Sequence, residues 1–366
     1  MNYCYYASFI PGMQEVISSI VRERFPGDPG ESGQLSNAGR SSSPVLSIVK
    51  LLDGAIIFET DCPYDKLNFF CFNNIFAMIH IEQNNTSLDH HIKKICAAGK
   101  KSSQGSVLTE RAWAVISENN KKIKTFRLTF SMENQPVQVS EGLRLEMEQF
   151  IAGNSNLKTD RTRPDTEFWF LSRSEGFSCF MKRLTVDRSV RRPGELSPQL
   201  AWLLCRMANL KYDETALDPF CGYGSIPNAG CKYFPVRKFY ALDNDPKCIK
   251  ITRSKNGLQT ERSLIQRAEI HSIFDFIPQE SVDAIITDPP WGMYKETDQP
   301  LQIFYDEMIN IFSRLLKKGG RAIILSGAGK ELVSAAEKAP ELVVGKIIPV
   351  LVSGKKASVF VLTKNA

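Results

Sequence analysis

The sequence is poor in the side chains that hold metals. Only four histidines occur in 366 residues, so a histidine-rich metal centre is not expected. The nine cysteines include no pair in C-x-x-C spacing, and their number is odd, which disfavours a zinc site and a secreted disulfide framework. Thiols of this kind fit a reducing cytosol best, so we expect a cytoplasmic protein that binds no metal.

Long apolar stretches are also missing. No run of about 18 apolar residues appears, so we expect no transmembrane helix and no membrane partner. The first residues lack a basic segment followed by an apolar one, so no secretory signal is expected. The 46 lysines and arginines exceed the 40 acidic residues by only six charges. This mild excess fits either an ordinary solvated surface or a polyanionic partner, and charge alone does not decide between them.

Changes of pattern along the chain indicate three domains. Residues 1–66 show a helical stripe, a Gly/Ser-rich stretch at 27–44 that we interpret as a surface loop, and two strands joined at Asp53 and Gly54. This β-α-β-β order predicts a ferredoxin-like domain. Residues 67–186 predict a second α+β domain, with a helix that ends at Gly153 and a strand pair around 174–176.

Residues 187–366 alternate short apolar runs with helical segments. Runs such as TALDPF and DAIITD predict a doubly wound, Rossmann-like parallel sheet of the α/β class. The clearest helix begins near Leu301, and we expect Lys317 and Lys318 in its last turn and Gly319 as its end. Two apolar runs that meet near Gly354 predict a terminal β-hairpin at the sheet edge.

A glycine-bearing loop, DPFCGYGS, follows the first strand of this sheet and opens a helix. Glycines let the backbone approach a ligand closely, and doubly wound sheets bind cofactors at this end. The second strand ends in ALDND, where an acid suits a ribose diol. The loop and the strand end therefore supply these candidate cofactor-binding residues: Asp218, Phe220, Cys221, Gly222, Gly224, Ser225, Asp243 and Asn244.

Two cofactors fit such a loop. NAD prefers G-x-G-x-x-G, but Pro227 occupies the place of the third glycine. Asp218 also puts a negative charge beside the loop, which disfavours a pyrophosphate and suits the cationic methionine moiety of S-adenosylmethionine (SAM). A tight turn that binds no ligand is the remaining interpretation.

The fourth strand ends in TDPPWG, on the same rim of the sheet. Proline has a carbonyl but no N–H, so Asp288, Pro289 and Pro290 present acceptors and few donors. Acceptors of this kind can hold an exocyclic amine with its lone pair turned toward an incoming methyl group, and Asp288 can take the amine proton. Trp291 offers a flat face for a base. The plainer interpretation is a strand stopped by proline and followed by a core tryptophan.

In this order and spacing, DPFCGYGS, ALDND and TDPPWG resemble the class I methyltransferases that modify exocyclic amines. RRPGELSPQLAWLLCRMANL resembles the segment that introduces the catalytic domain of THUMP-domain RNA methyltransferases, and the predicted domain order is similar. The resemblance is strong from Arg191 onward and weak before it. It implies SAM as cofactor, N2-methylguanosine in tRNA as product, and a catalytic set of Asp288, Pro289, Pro290 and Trp291. Asp288 would also contact the cofactor.

The chain departs from this family pattern in two places. Many members carry Tyr or Phe where this chain has Trp291, and DPPW also occurs in RNA adenine-N6 methyltransferases. The acid expected after the third strand is not obvious; Glu269 is our choice for the SAM adenine, and His271 is the weaker alternative.

The resemblance also implies a THUMP-like unit at residues 67–186 that grips tRNA, in a monomeric protein. Two basic clusters are the candidate RNA contacts, although charge runs are often only solvated surface. They contain Lys158, Arg161, Arg163, Lys182, Arg183, Arg188, Arg191 and Arg192. The competing functions are an adenine-N6 methyltransferase acting on RNA or DNA, a nucleotide-binding dehydrogenase, a protein glutamine methyltransferase and a non-catalytic RNA-binding relative.

Overall fold

The structure is a computed structural model, and it describes residues 3–24, 46–67, 69–83, 87–98, 108–117, 122–133, 135–185, 191–292 and 300–365. The chain divides into two compact units: residues 1–8 with 17–188, and residues 9–16 with 189–366. The predicted loop at 27–44 lies outside the described residues. The predicted division into three domains at 66/67 and 186/187 stays a prediction.

The first unit is built on one mixed sheet. Its strands are β1 (Tyr3–Ser8), β2 (Leu46–Leu52), β3 (Ala55–Thr60), β4 (Asn74–Gln83), β5 (Thr125–Met132), β6 (Gln135–Pro136), β7 (Lys158–Thr159), β8 (Thr166–Arg173) and β9 (Phe177–Arg183). The helices are α1 (Gln14–Arg24), whose first turn is counted with the second unit, α2 (Tyr64–Leu67), α3 (Leu88–Cys96), α4 (Glu110–Ile116) and α5 (Glu141–Asn154).

The strand order is β2-β3-β1-β4-β9-β8-β5-β6, with β7 beside β5. Both predicted hairpins of this unit are confirmed: β2 pairs with β3 across Asp53 and Gly54, and β8 pairs with β9 across 174–176. The helix end at Gly153 was wrong by one residue, because α5 continues to Asn154. The amide of Asn154 donates to the carbonyl oxygen of Phe150 at 2.7 Å and so stabilises that last turn.

The second unit has the predicted α/β architecture. Its strands are β10 (Thr215–Asp218), β11 (Lys238–Asp243), β12 (Ser263–Arg267), β13 (Val282–Thr287), β14 (Leu316–Ser326), β15 (Leu342–Val352) and β16 (Lys355–Lys364). Its helices are α6 (Pro198–Ala208), α7 (Ser225–Tyr233), α8 (Pro246–Arg253), α9 (Leu301–Leu315) and α10 (Gly329–Glu337), with short 3-10 turns at Asn256–Leu258 and Ile270–Asp275.

The order of this sheet is β12-β11-β10-β13-β14-β16-β15. Strands β10 to β14 run parallel, and β16 pairs antiparallel with both of its neighbours. The chain moves outward from β10 through β11 and β12 and then returns to the other side of β10 as β13. The carboxyl ends of β10 and β13 therefore form the topological switch point, where such sheets bind ligands.

The end of α9 differs from the sequence prediction. The helix stops at Leu315, and Lys317, Lys318 and Gly319 lie in β14. Leu316 pairs with Val282 of β13, and the Lys317 ammonium contacts both carboxylate oxygens of Asp283 at 2.8 and 2.9 Å. Strand pairing therefore overrides the local signals. The terminal hairpin is confirmed, since Val352 pairs with Lys355 across Gly354.

A short segment from the start of the chain lies against β15 of the second unit. Gly12 has φ +92°, and a Cβ there would lie 1.8 Å from the carbonyl oxygen of Pro349, so the position requires glycine. Glu15 forms an ion pair with Lys346 at 2.6 Å. Within the described residues, no helix is both long and apolar enough to cross a bilayer.

Candidate active site at the carboxyl ends of β10 and β13

The two central strands of the second unit end side by side in polar residues. Asp218 ends β10, and Thr287 and Asp288 close β13. The Thr287 hydroxyl donates to Oδ1 of Asp218 at 2.7 Å, and both groups are buried. The backbone N–H of Phe220 donates to the same oxygen at 3.2 Å. These bonds fix Asp218 relative to β13, the strand that Asp288 follows.

The glycines of the loop differ in their surroundings. Gly224 has φ +78° and precedes α7, and a Cβ there would lie 2.7 Å from Cγ2 of Thr252. Gly222 has φ +51° and faces open space. Gly224 is therefore required by packing and backbone conformation, whereas Gly222 leaves room for a ligand above the loop.

Asp243, at the end of β11, holds this loop. One carboxylate oxygen accepts from the backbone N–H of Gly222 at 2.8 Å, and the other accepts from that of Asp245 at 2.9 Å. The Thr252 hydroxyl donates to the carbonyl oxygen of Gly222 at 2.9 Å. Each carboxylate oxygen of Asp243 has a second lone pair that can still accept a hydroxyl proton.

The residues predicted to bind the adenine of SAM are more exposed than those of the loop. The Asn244 amide lies 3.5 Å from the Glu269 carboxylate, and both side chains are exposed. His271 lies 3.7 Å from the Glu307 carboxylate. The structure thus places Glu269 next to the loop that follows β11, as a cofactor-binding role would require.

A small cleft of about 80 Å³ joins the two strand ends. It is lined by the sequence-predicted residues Asp218, Phe220, Cys221, Gly222, Ser225 and Asp288, together with Gly194, Glu195, Leu196, Tyr223 and Ile226. Gly194, Glu195 and Leu196 precede α6 and were missed as site residues, although they lie in the segment on which the family resemblance was based.

Two acids of the cleft have strongly perturbed proton affinities. Burial raises the pKa of Asp218 to about 8; the hydrogen bonds from Thr287 and Phe220 lower it in part, and the nearby charges of Asp288 and Asp243 raise it by smaller amounts. Oδ2 of Asp218 is buried and has no hydrogen-bond partner among the described residues. Desolvation likewise raises the pKa of Asp288 to about 7, against the lowering effect of its bond to Trp291. A cationic ligand beside Asp218 would compensate the charge of that carboxylate.

The residues after Asp288 are held by a hydrogen-bond network. Nε1 of Trp291 donates to Oδ1 of Asp288 at 2.9 Å. Its ring lies against Gly327, where a Cβ would approach within 2.7 Å of the indole Cε3. The Tyr305 hydroxyl lies 3.1 Å from the Pro290 carbonyl oxygen and 2.6 Å from the Ser326 hydroxyl. Trp291 therefore positions the acid, which the sequence did not predict; its predicted stacking on a base stays a prediction.

The candidate RNA residues of the first unit differ in accessibility. Lys158 and Arg163 are exposed, and Arg161 is half-exposed while bound to Glu148 and Glu141 at 2.9 Å each. The Lys182 side chain is buried and donates to the Val115 carbonyl oxygen at 3.3 Å, so its ammonium does not face solvent.

Arg183, next along β9, is bound to Glu167 at 3.1 Å and to Asn74 at 2.6 Å. In the second unit, Arg191 and Arg192 are exposed. Arg188 lies outside the described residues. Across the described ranges, no group of three or more acidic, histidine or cysteine side chains could hold a metal ion.

Comparison with known proteins shows what the second unit is similar to. Residues 186–355 match UPF0020, an RMKL-like methyltransferase domain. A tRNA (guanine(6)-N2)-methyltransferase from Thermus thermophilus is 33% identical over 137 residues, which cover 36% of this chain and 40% of that protein. The U6 snRNA (guanine-N(2))-methyltransferase THUMPD2 of Bos taurus is 27% identical over 175 residues, covering 46% and 33%. The chain thus spans less than half the length of these relatives.

The fold of the whole chain also has a solved counterpart. The crystal structure of TrmN from Thermus thermophilus superposes with a TM-score of 0.74 at 20% identity, over 99% of each chain. This likeness confirms the predicted fold class. Together with the family match, it confirms the resemblance to class I methyltransferases over the second unit.

Proposed function

We propose that this chain, whose residues 186–355 match an RMKL-like methyltransferase domain, transfers a methyl group from SAM to N2 of a guanine in RNA. The observation that carries the proposal is the pairing of Asp218 and Asp288 in one cleft at the switch point. The relatives' names support guanine N2, since both of those described above are guanine-N2 methyltransferases acting on RNA.

The residues of the loop fit SAM. The buried Oδ2 of Asp218 lacks a partner, and the space above Gly222 is open. A cationic methionine moiety would compensate the Asp218 carboxylate, Asp243 would accept the ribose hydroxyls, and Glu269 would meet the adenine amino group. SAM supplies the electrophilic methyl group, and this chain holds the acceptor in line with it.

Asp288 would receive the amine. Its Oδ1 is bound to Trp291, so Oδ2 and the neighbouring backbone carbonyls remain to accept the two amine hydrogens. With a pKa of about 7, the carboxyl is partly ionised at neutral pH. It can therefore take the proton that the amine releases as its nitrogen is alkylated. Tyr305 keeps the Pro290 carbonyl in place during this transfer.

RNA recognition would be divided between the units. Residues 67–186 would form the THUMP-like part, with Lys158, Arg161 and Arg163 as phosphate contacts. Arg191 and Arg192 would serve the same purpose beside the catalytic cleft. We leave Lys182 out of this surface because it is buried. Shape and phosphate contacts would position one flipped base in the cleft of a monomeric, cytoplasmic enzyme.

The test is to identify the product. The full chain is incubated with labelled SAM and either unmodified tRNA or U6 snRNA, and the RNA is digested to nucleosides. N2-methylguanosine is expected, with tRNA as the better substrate, and Asp288→Asn should produce far less of it in the same time. N6-methyladenosine would instead show that the chain is an adenine-N6 methyltransferase, the second candidate, which the DPPW sequence favours. No labelled nucleoside from either RNA would refute both.

A further inference from the structure

A second cleft lies beside the one that contains Asp218 and Asp288. It is formed by the loop before α6, by α7 and by the segment after α8, and its volume is about 300 Å³. The two clefts share Glu195, Leu196 and Ser225 as a common wall. A ligand in the second cleft would therefore be separated from the proposed methyl-transfer site only by these shared residues.

The lining of this cleft carries an excess of positive charge. Its charged residues are Arg191, Arg192 and Lys255 against the single acid Glu195. The Glu195 carboxylate is buried and accepts from the Lys255 ammonium at 2.5 Å and from the backbone N–H of Arg192 at 3.2 Å. The Arg192 guanidinium also lies 3.5 Å from this carboxylate, so one acid holds two of the cations, while the Arg191 side chain is exposed.

Aromatic rings accompany these charges. Tyr233, at the end of α7, is half-buried in the lining, and the Lys232 ammonium lies 4.9 Å from its ring centroid. On the other side, the Arg192 guanidinium lies 5.6 Å from the ring centroid of Tyr223, which lines the catalytic cleft. A cationic groove with an aromatic ring in its lining is typical of sites that bind single-stranded nucleic acid.

Resting on the proposed function, we propose that this second cleft binds the RNA strand next to the target nucleotide. Phosphates would lie at Arg191, Arg192 and Lys255, and one base would lie against Tyr233. A single inorganic phosphate would leave most of the 300 Å³ unfilled, whereas a short length of strand would occupy it. Because a flipped base remains tied to its own backbone, the flanking phosphates must lie near the catalytic cleft.

The experiment measures binding of a labelled tRNA transcript to the full chain by fluorescence anisotropy at several salt concentrations. Arg191→Ala and Lys255→Gln should each weaken binding and reduce the slope of log K against log salt by about 1. Tyr233→Leu should weaken binding by about fivefold or more with little change in slope. The matched control is Lys250→Ala, an exposed lysine of α8 outside the cleft lining, which should leave the slope unchanged.

Calorimetry with S-adenosylhomocysteine reports on the adjoining cleft and should give wild-type affinity for Arg191→Ala, Tyr233→Leu and Lys250→Ala. Because Lys255 holds Glu195, which lines that cleft, Lys255→Gln is judged by the salt slope alone. The proposal that this cleft binds RNA is refuted if Arg191→Ala and Lys255→Gln keep the wild-type salt slope, or if Lys250→Ala reduces the slope by the same amount. It is also overturned if the wild type does not bind the transcript. A wild type that binds the transcript with the expected variant pattern, but yields no methylated nucleoside, supports the groove and refutes only the proposed chemistry.

Discussion

Replacing Thr287 by valine tests whether Asp218 is a buried acid that changes its charge near neutral pH. Valine keeps the shape of the side chain but removes the hydroxyl that donates to Asp218 at 2.7 Å. With a pKa of about 8, Asp218 is protonated at pH 6 and largely ionised at pH 9. A hydrogen bond to a neutral group contributes about 1 kcal/mol, and one to a charged group contributes about 1.5–3 kcal/mol. The cost of the substitution should therefore rise by about 1 kcal/mol between these two values of pH.

The sign follows from the direction of the shift. Folding raises the pKa of this carboxyl, so the folded protein keeps a proton that the unfolded chain loses above about pH 4. The contribution of this group to stability is complete at low pH and is lost as the pH rises through about 8. Removal of a donor that favours the ionised form makes that loss larger.

Thermal unfolding at pH 6 and pH 9 measures the effect, and an extra 1 kcal/mol corresponds to about 2–4 °C in Tm for a domain of this size. Thr252→Val is the matched control. That buried hydroxyl donates to the neutral carbonyl oxygen of Gly222 at 2.9 Å, so its cost should be the same at both pH values. An equal cost of Thr287→Val at the two pH values, or a cost that grows only for Thr252→Val, would refute the reasoning.

Three further outcomes are expected. Gly224→Ala should destabilise the chain more than Gly222→Ala, as measured by thermal unfolding, because only the former brings a Cβ within 2.7 Å of Thr252 while both adopt positive φ; equal losses would contradict the packing argument. Asp288→Asn should lower kcat by about 100-fold or more while calorimetry shows unchanged affinity for S-adenosylhomocysteine, and a parallel loss of cofactor affinity would move the residue to the cofactor side. The methylation rate should rise with pH through about 7 as Asp288 ionises. Trp291→Phe removes the N–H that lowers the pKa of Asp288, so the midpoint of its pH–rate profile should lie at higher pH. A variant profile with the wild-type midpoint would argue against the positioning role of the indole.

The second unit was largely predictable because its signals are local. Strands β10 and β11 end in aspartate and β13 is followed by one, and parallel strands place their carboxyl ends on one rim. That alone brought Asp218, Asp243 and Asp288 together. The bond between Thr287 and Asp218 and the contact of Tyr305 with Pro290 join residues far apart in sequence, so no local pattern reveals them.

Errors arose where tertiary contacts outweighed local preference. Lys317 and Lys318 have the character of a helix end, yet pairing with β13 and the Asp283 carboxylate draw them into β14. Lys182 belongs to a basic run in the sequence, but β9 is buried on both faces from Phe177 to Lys182, so this side chain lies in the interior. A run of basic residues along a strand indicates a nucleic-acid contact only when their side chains are known to reach the solvent.

The contact between Gly12 and Pro349 has a consequence for how the chain is made. Glu15, in this segment, leaves the ribosome 331 residues before Lys346, its partner on β15. Contacts between such distant parts of a chain are slow to form. Residues 9–16 therefore lack their partner until β15 has been synthesised, and the second unit completes its packing only after that point. A ribosome stalled before β15 would hold a nascent chain whose first residues are still accessible to a protease.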